Sequence, residues 1–127
     1  MENIFNNYDW HDSTLRNIVI DRTSDTIMIS IEWPDNTVSD VIFEDCYAFI
    51  SNMNFGIMTP ENILMAEVIS NNTEESTLIK DKWRKIGIEL DNLIEFRIET
   101  NSTASIIRIF ALKVSFKVSE SDAFTQK

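Results

Sequence analysis

The sequence predicts an α+β fold: mainly an antiparallel sheet built from hairpins, with one clear helix packed on it. Three observations carry that expectation. Apolar residues recur at every second position in several short runs. Clusters of Asn, Asp, Ser and Thr separate the runs, and they must make the turns, because 127 residues contain only two Gly and two Pro. One stretch, residues 74–86, has helical spacing and capping chemistry instead.

Residues 15–21 read as a first strand, ended by the turn Arg22-Thr23-Ser24-Asp25. In residues 26–33 the alternation is cleanest: Ile27, Ile29, Ile31 and Trp33 share one face, with Met28, Ser30 and Glu32 between them. Pro34-Asp35-Asn36-Thr37 combines a fixed φ with side chains that bond their own backbone, so it closes a second hairpin. Residues 38–44 return as a third strand with Val41 and Phe43 on one face, completing a meander. Residues 45–55 (DCYAFISNMNF) are apolar but aperiodic and read as a short helix or a packed loop.

Residues 61–70 fit two templates. Thr59-Pro60-Glu61 resembles a helix start, whereas Ile63, Leu64, Met65, Val68 and Ile69 suit a strand covered on both faces. The strand is preferred. In the helix over 74–86, Asn71 or Asn72 is the expected cap, with Glu74 or Glu75 completing a capping box. Acidic residues in the first turn and Lys82, Arg84 and Lys85 in the last suit the helix dipole. Ile79, Trp83 and Ile86 make its apolar stripe, and Gly87 ends it.

A final hairpin follows. Ile94, Phe96 and Ile98 alternate with Glu95, Arg97 and Glu99, and Asn101-Ser102-Thr103 makes the turn. In the return strand, 105–118, Ile106, Phe110, Leu112, Val114, Phe116 and Val118 are assigned to one face, and Ile107, Ile109 and Ala111 to the other. Arg108 interrupts this run and requires a partner or the sheet edge. A single domain over 1–118 with a flexible tail, 119–127, completes the expected organisation.

Composition narrows the function. Eleven Lys and Arg against 21 Asp and Glu give a formal net charge of −10. Such a surface repels nucleic-acid phosphates and anionic membranes, and it steers a basic protein partner inward. Cys46 is alone, so neither an intrachain disulfide nor a cysteine zinc site can form. The first residues lack the basic start and apolar run of a secretory signal, and no run approaches a membrane span, so a cytoplasmic location is expected.

The only histidine stands in Tyr8-Asp9-Trp10-His11-Asp12-Ser13. Asp9 and Asp12 would favour its imidazolium form. Catalysis there would need a nucleophile, and no Gly-x-Ser-x-Gly elbow occurs. A zinc or iron site would need more than one His. The structural reading is that Asp12 or Ser13 makes a side-chain turn bond while Trp10 anchors the chain in the core. No catalytic, metal or cofactor site is therefore assigned. A small hydrolase or metal enzyme centred on Asp9, His11 and Asp12 remains the alternative, as does a homo-oligomeric module.

Trp10-His11-Asp12-Ser13-x-Leu15, Val41-Ile42-Phe43 and Phe96-Arg97-Ile98-Glu99-Thr100 follow in an order similar to that of small bacterial proteins, some of them immunity proteins that neutralise polymorphic toxins. The resemblance implies a non-enzymatic α+β protein that binds and blocks a partner, and it transfers no functional residue. The acidic surface then supplies the expected contacts: Asp35, Asp40, Glu44 and Asp45 near the first hairpins, and Glu95 and Glu99 on the late one.

Overall fold

Ile27, Ile29 and Ile31 all turn inward, and the structure builds outward from that strand. It is a computed structural model that describes residues 5–54, 61–69, 72–101 and 103–118. The strands are β1 (Thr14–Asp21), β2 (Thr26–Glu32), β3 (Val38–Asn52), β4 (Glu61–Ile69), β5 (Ile94–Thr100) and β6 (Ile106–Val118). The helix, α1, is Glu74–Arg84 and lies between β4 and β5 in sequence. Every strand pairing is antiparallel, so the expected mainly antiparallel sheet with one helix is found. The sheet also closes on itself, as a barrel in the order β1-β2-β3-β6-β5-β4.

The preferred strand over residues 61–70 is present as β4, whereas the segment after Asp45 corrects the sequence reading. Residues 45–52 are neither helix nor loop, because β3 continues to Asn52 along β6; Phe55 lies outside the described residues. Asp45 adopts φ 52° and a bulge lies between Cys46 and Ala48. These two irregularities carry the inward set from Val41 and Phe43 to Cys46 and then Phe49. The period of two is lost from the sequence although the strand is not. β6 shifts phase as well. Ile107, Ile109 and Ala111 face the core in its first half, and Val114 and Phe116 in its second. Phe110 is therefore buried on the outer face, with the Arg108 guanidinium 5.3 Å from its ring centre.

Capping differs too. Thr73 is the N-cap of α1: its hydroxyl accepts from the Ser76 amide (3.2 Å), and the Ser76 hydroxyl accepts from the Thr73 amide (2.8 Å). Asn72 is not the cap, neither glutamate closes the box, and Asn71 lies outside the described residues. Ile86 falls beyond the last turn and is 67% exposed, so only Ile79 and Trp83 of the expected stripe are half-buried. Gly87, at φ 90°, brings the Ile88 amide back to the Trp83 carbonyl (3.0 Å) and ends the helix.

The interior is filled partly by residues that precede the barrel. Phe5 and Trp10 are buried inside it, and the Trp10 indole donates to the Phe5 carbonyl (2.7 Å). Phe5 packs against Phe43 and Phe96, with ring centres 6.4 and 5.1 Å away. Tyr8 stacks on Phe116 (4.0 Å) and on Trp33 (4.8 Å). The N-terminal segment thus acts as an aromatic plug. No helix among the described residues is long and apolar enough to cross a membrane. The expected tail, 119–127, lies outside the described residues.

Candidate functional site

Trp10-His11-Asp12-Ser13 forms a turn. The Trp10 carbonyl accepts from both the Ser13 amide (3.0 Å) and the buried Ser13 hydroxyl (2.7 Å). Asp12 sits at φ 66°, a left-handed conformation that Asp tolerates better than most residues. The turn also helps to close the barrel. The Asp12 amide donates to the Ile63 carbonyl (3.0 Å), and the Ile63 amide donates to the Ser13 carbonyl (2.7 Å). Next to these bonds the β1–β4 ladder adds only Thr14↔Asn62 and Leu15↔Glu61.

His11 is exposed. Its Nδ1 lies 3.0 Å from the Leu64 carbonyl and its Nε2 3.5 Å from Asp12 Oδ2. The Leu64 carbonyl first, and Asp12 next, raise its pKa above the ordinary value. Asp9 borders a depression beside Trp33 and Asp35 that neither His11 nor Asp12 lines. None of the depressions described among these residues brings the three together. Among the described residues, no group of three His, Cys, Asp or Glu side chains is placed to hold a metal ion.

The six acidic residues expected at a partner interface divide. Asp35, Glu44 and Asp45 are exposed and Glu99 is partly so. Asp40 is buried and accepts from the Ser30 hydroxyl (3.0 Å), which removes it from any docking face. Glu95 is also withdrawn, for a stronger reason. Its carboxylate accepts from Arg108 Nε (2.7 Å) and Nη2 (3.0 Å), from Arg97 Nε (3.0 Å) and Nη2 (2.7 Å), and from the Thr73 hydroxyl (3.0 Å). Arg108 Nη2 reaches Glu75 as well (2.7 Å), so the partner that its place in β6 required is a pair of glutamates. Burial pushes the Glu95 carboxyl up, but the bonds from Arg108, Arg97 and Thr73 outweigh it and the net shift is downward.

A second concavity, a groove of about 580 Å³, gathers the exposed Asp21, Asp25 and Asp45. Asp21 and Asp25 of the β1–β2 turn form one wall, the bulged stretch of β3 at Asp45 and Tyr47 another, and Trp83 of α1 closes the side. Tyr47 and Trp83 meet edge to face, 5.1 Å between ring centres. The Cys46 amide donates to the Asp25 carbonyl (3.0 Å), which fixes the turn against the bulge. Burial pushes the Cys46 thiol up to about 11, and Asp25, Asp45 and Glu44 add to the rise, so the sulfur is neutral at physiological pH.

No protein-family model matches this chain, and no curated protein matches it. Of the groove residues, sequence reasoning found Asp45 and missed Asp21, Asp25, Tyr47 and Trp83. Asp21 and Asp25 read as turn residues and Trp83 as helix core. The available signal was the aromatic content of the aperiodic stretch 45–55, which needed a covering element.

Proposed function

We propose that this protein is a non-enzymatic binding protein of the immunity type, which neutralises a basic partner protein by covering it. The observation that supports the reading is the division of its acids. Glu95 and Glu75 are matched internally by Arg97 and Arg108. Asp21, Asp25 and Asp45 instead stand exposed around one concave face, in a chain whose net charge is −10. A field of that sign accelerates encounter with a cationic surface and discriminates against acidic ones.

The test is retention from extracts of the source organism. The tagged protein should hold one basic protein at low ionic strength and release it in about 0.5 M salt, where the screening length falls to a few ångströms. That protein, expressed alone, should arrest growth, and co-expression should restore it. A retained protein that is harmless alone, or retention indifferent to salt, overturns the reading.

A further inference from the structure

We infer that the groove between the β1–β2 turn, the β3 bulge and α1 receives an arginine side chain presented by a basic protein partner. The inference rests on the binding reading above and names the chemistry of its central contact. The occupant follows from charge and shape together. Asp21, Asp25 and Asp45 line the groove against a single cation, Arg22. Asp45 does touch Lys113, at 3.6 Å, but both side chains are more than half exposed, and such pairs are easily exchanged. Aromatic side chains share the lining with the acids: Tyr47 and Trp83, both half-buried, meet edge to face there.

Carboxylates beside aromatic faces suit a guanidinium better than an ammonium. A guanidinium is planar and weakly hydrated, so it can lie on a ring while its edge donates two parallel bonds to a carboxylate. This chain already uses that arrangement internally, where Arg108 packs over the Phe110 ring and grips Glu95 with two nitrogens. The groove offers the same elements to a visitor from outside. Cys46 adds no competing charge, since its thiol is neutral.

The three tryptophans make the test direct. The Trp10 indole is bonded to the Phe5 carbonyl and the Trp33 indole to the Ser39 hydroxyl, and neither ring lines the groove, whereas Trp83 does. The full chain, labelled with ¹⁵N, would be titrated with the blocked tripeptide Gly-Arg-Gly and with its lysine and citrulline counterparts. The Trp83 indole and Tyr47 amide signals should shift saturably with the arginine peptide by about 20 mM, a millimolar affinity being reasonable for one side chain. The Trp10 and Trp33 indoles should stay still. Lysine should bind at least about threefold more weakly, and citrulline should not bind.

Asp25→Asn with Asp45→Asn should weaken the arginine peptide about tenfold, as expected on losing charge-assisted bonds. Asn tolerates the positive φ of both positions, 56° and 52°, so the fold is kept. Asp91→Asn, at an exposed position outside the groove, should change nothing. Absence of a saturable shift, equal binding of lysine, or equal weakening by Asp91→Asn would each overturn the inference. If the double variant still retains the natural partner as wild type does, the groove assignment fails and the binding function stands. If the tripeptide behaves as described but no basic protein is ever retained, the binding function fails instead.

Discussion

Arg97 and Arg108 stand directly opposite each other across the β5–β6 ladder, and a single carboxylate, Glu95, holds both. Like charges in facing positions ordinarily destabilise a sheet. Here the Glu95 side chain is only 2% exposed and accepts from the two guanidiniums and from Thr73, so the repulsive pair becomes part of a saturated cluster. Because Thr73 caps α1 and Glu75 lies in its first turn, the same cluster fastens the helix to the outer face of the barrel.

Glu95→Gln should therefore be among the most damaging single substitutions outside the apolar core. It keeps the shape and leaves two cations facing each other across one neutral amide. Removing one partner of a buried ion pair costs about 3–5 kcal/mol. The lower end is expected here, because Arg97 keeps 28% of its side chain in solvent. Urea denaturation of the variant checks this, and Glu95→Met combined with Arg108→Met should recover much of the loss.

Acid should unfold the protein through the same group. The Glu95 carboxyl lies below its ordinary 4.5, and Asp21 and Asp35 lie below 3.8 because of bonds from Ser24 and Thr23, and from Thr37, respectively. A carboxyl whose pKa is depressed on folding stabilises fully above its unfolded value, and that stability is lost as pH falls through the folded value. The part of the stability that these carboxylates supply should be flat above about pH 5 and fall below about 4. A Glu95→Gln chain should show a shallower acid limb in thermal melts recorded across that range.

The single histidine gives an unobstructed titration. His11 should titrate above 6.5, raised first by the Leu64 carbonyl and then by Asp12. A raised value means that its small contribution is complete below 6.5 and disappears as pH rises through the folded value. In Asp12→Asn the midpoint, followed by the imidazole proton resonance, should fall part of the way back. An unchanged midpoint would remove Asp12 as a cause.

Trp10→Ala should destabilise the barrel by about 3–5 kcal/mol, the usual cost of emptying a buried tryptophan site. It also removes the indole donor to the Phe5 carbonyl and the ring that packs 4.7 Å from Phe5. Loss of the chain's near-ultraviolet circular dichroism at moderate temperature would report the loosened plug.

Cys46 should be sluggish toward alkylating reagents. With its thiol pushed up to about 11 by burial, the rate of modification should keep climbing past pH 9 and reach half its limit only near pH 11. A plateau below pH 9 would contradict the burial.

The strands were readable wherever one face is continuously buried. Ile27, Ile29 and Ile31 announce β2 because nothing interrupts their period. β3 was not readable past Glu44, because Asp45 and the adjacent bulge shift which residues face inward. Closure into a barrel was invisible for a different reason. The bonds from Asp12, Ser13 and Ile63 that complete the seam are made by backbone atoms, which leave no side-chain signature. Glu95 looked like a solvent-facing acid because its alternation with Phe96 is that of any half-buried strand. Only the position of Arg108 one strand away reveals that this outer face is covered. The groove was the least legible feature, since its walls come from two turns of the chain and a helix that meet only after the barrel forms.

The aromatic plug also sets an order of events for a chain leaving the ribosome. Phe5 and Trp10 are made before β5 and β6, yet the rings they rest against include Phe96 and Phe116 of those strands. Until β5 and β6 arrive, the rings of the plug lack part of their shelter, and contacts so distant in sequence form slowly. During that interval the excess of negative charge keeps one unfinished chain away from another. The acidity that suits a cationic partner thus also protects the protein before it has a fold.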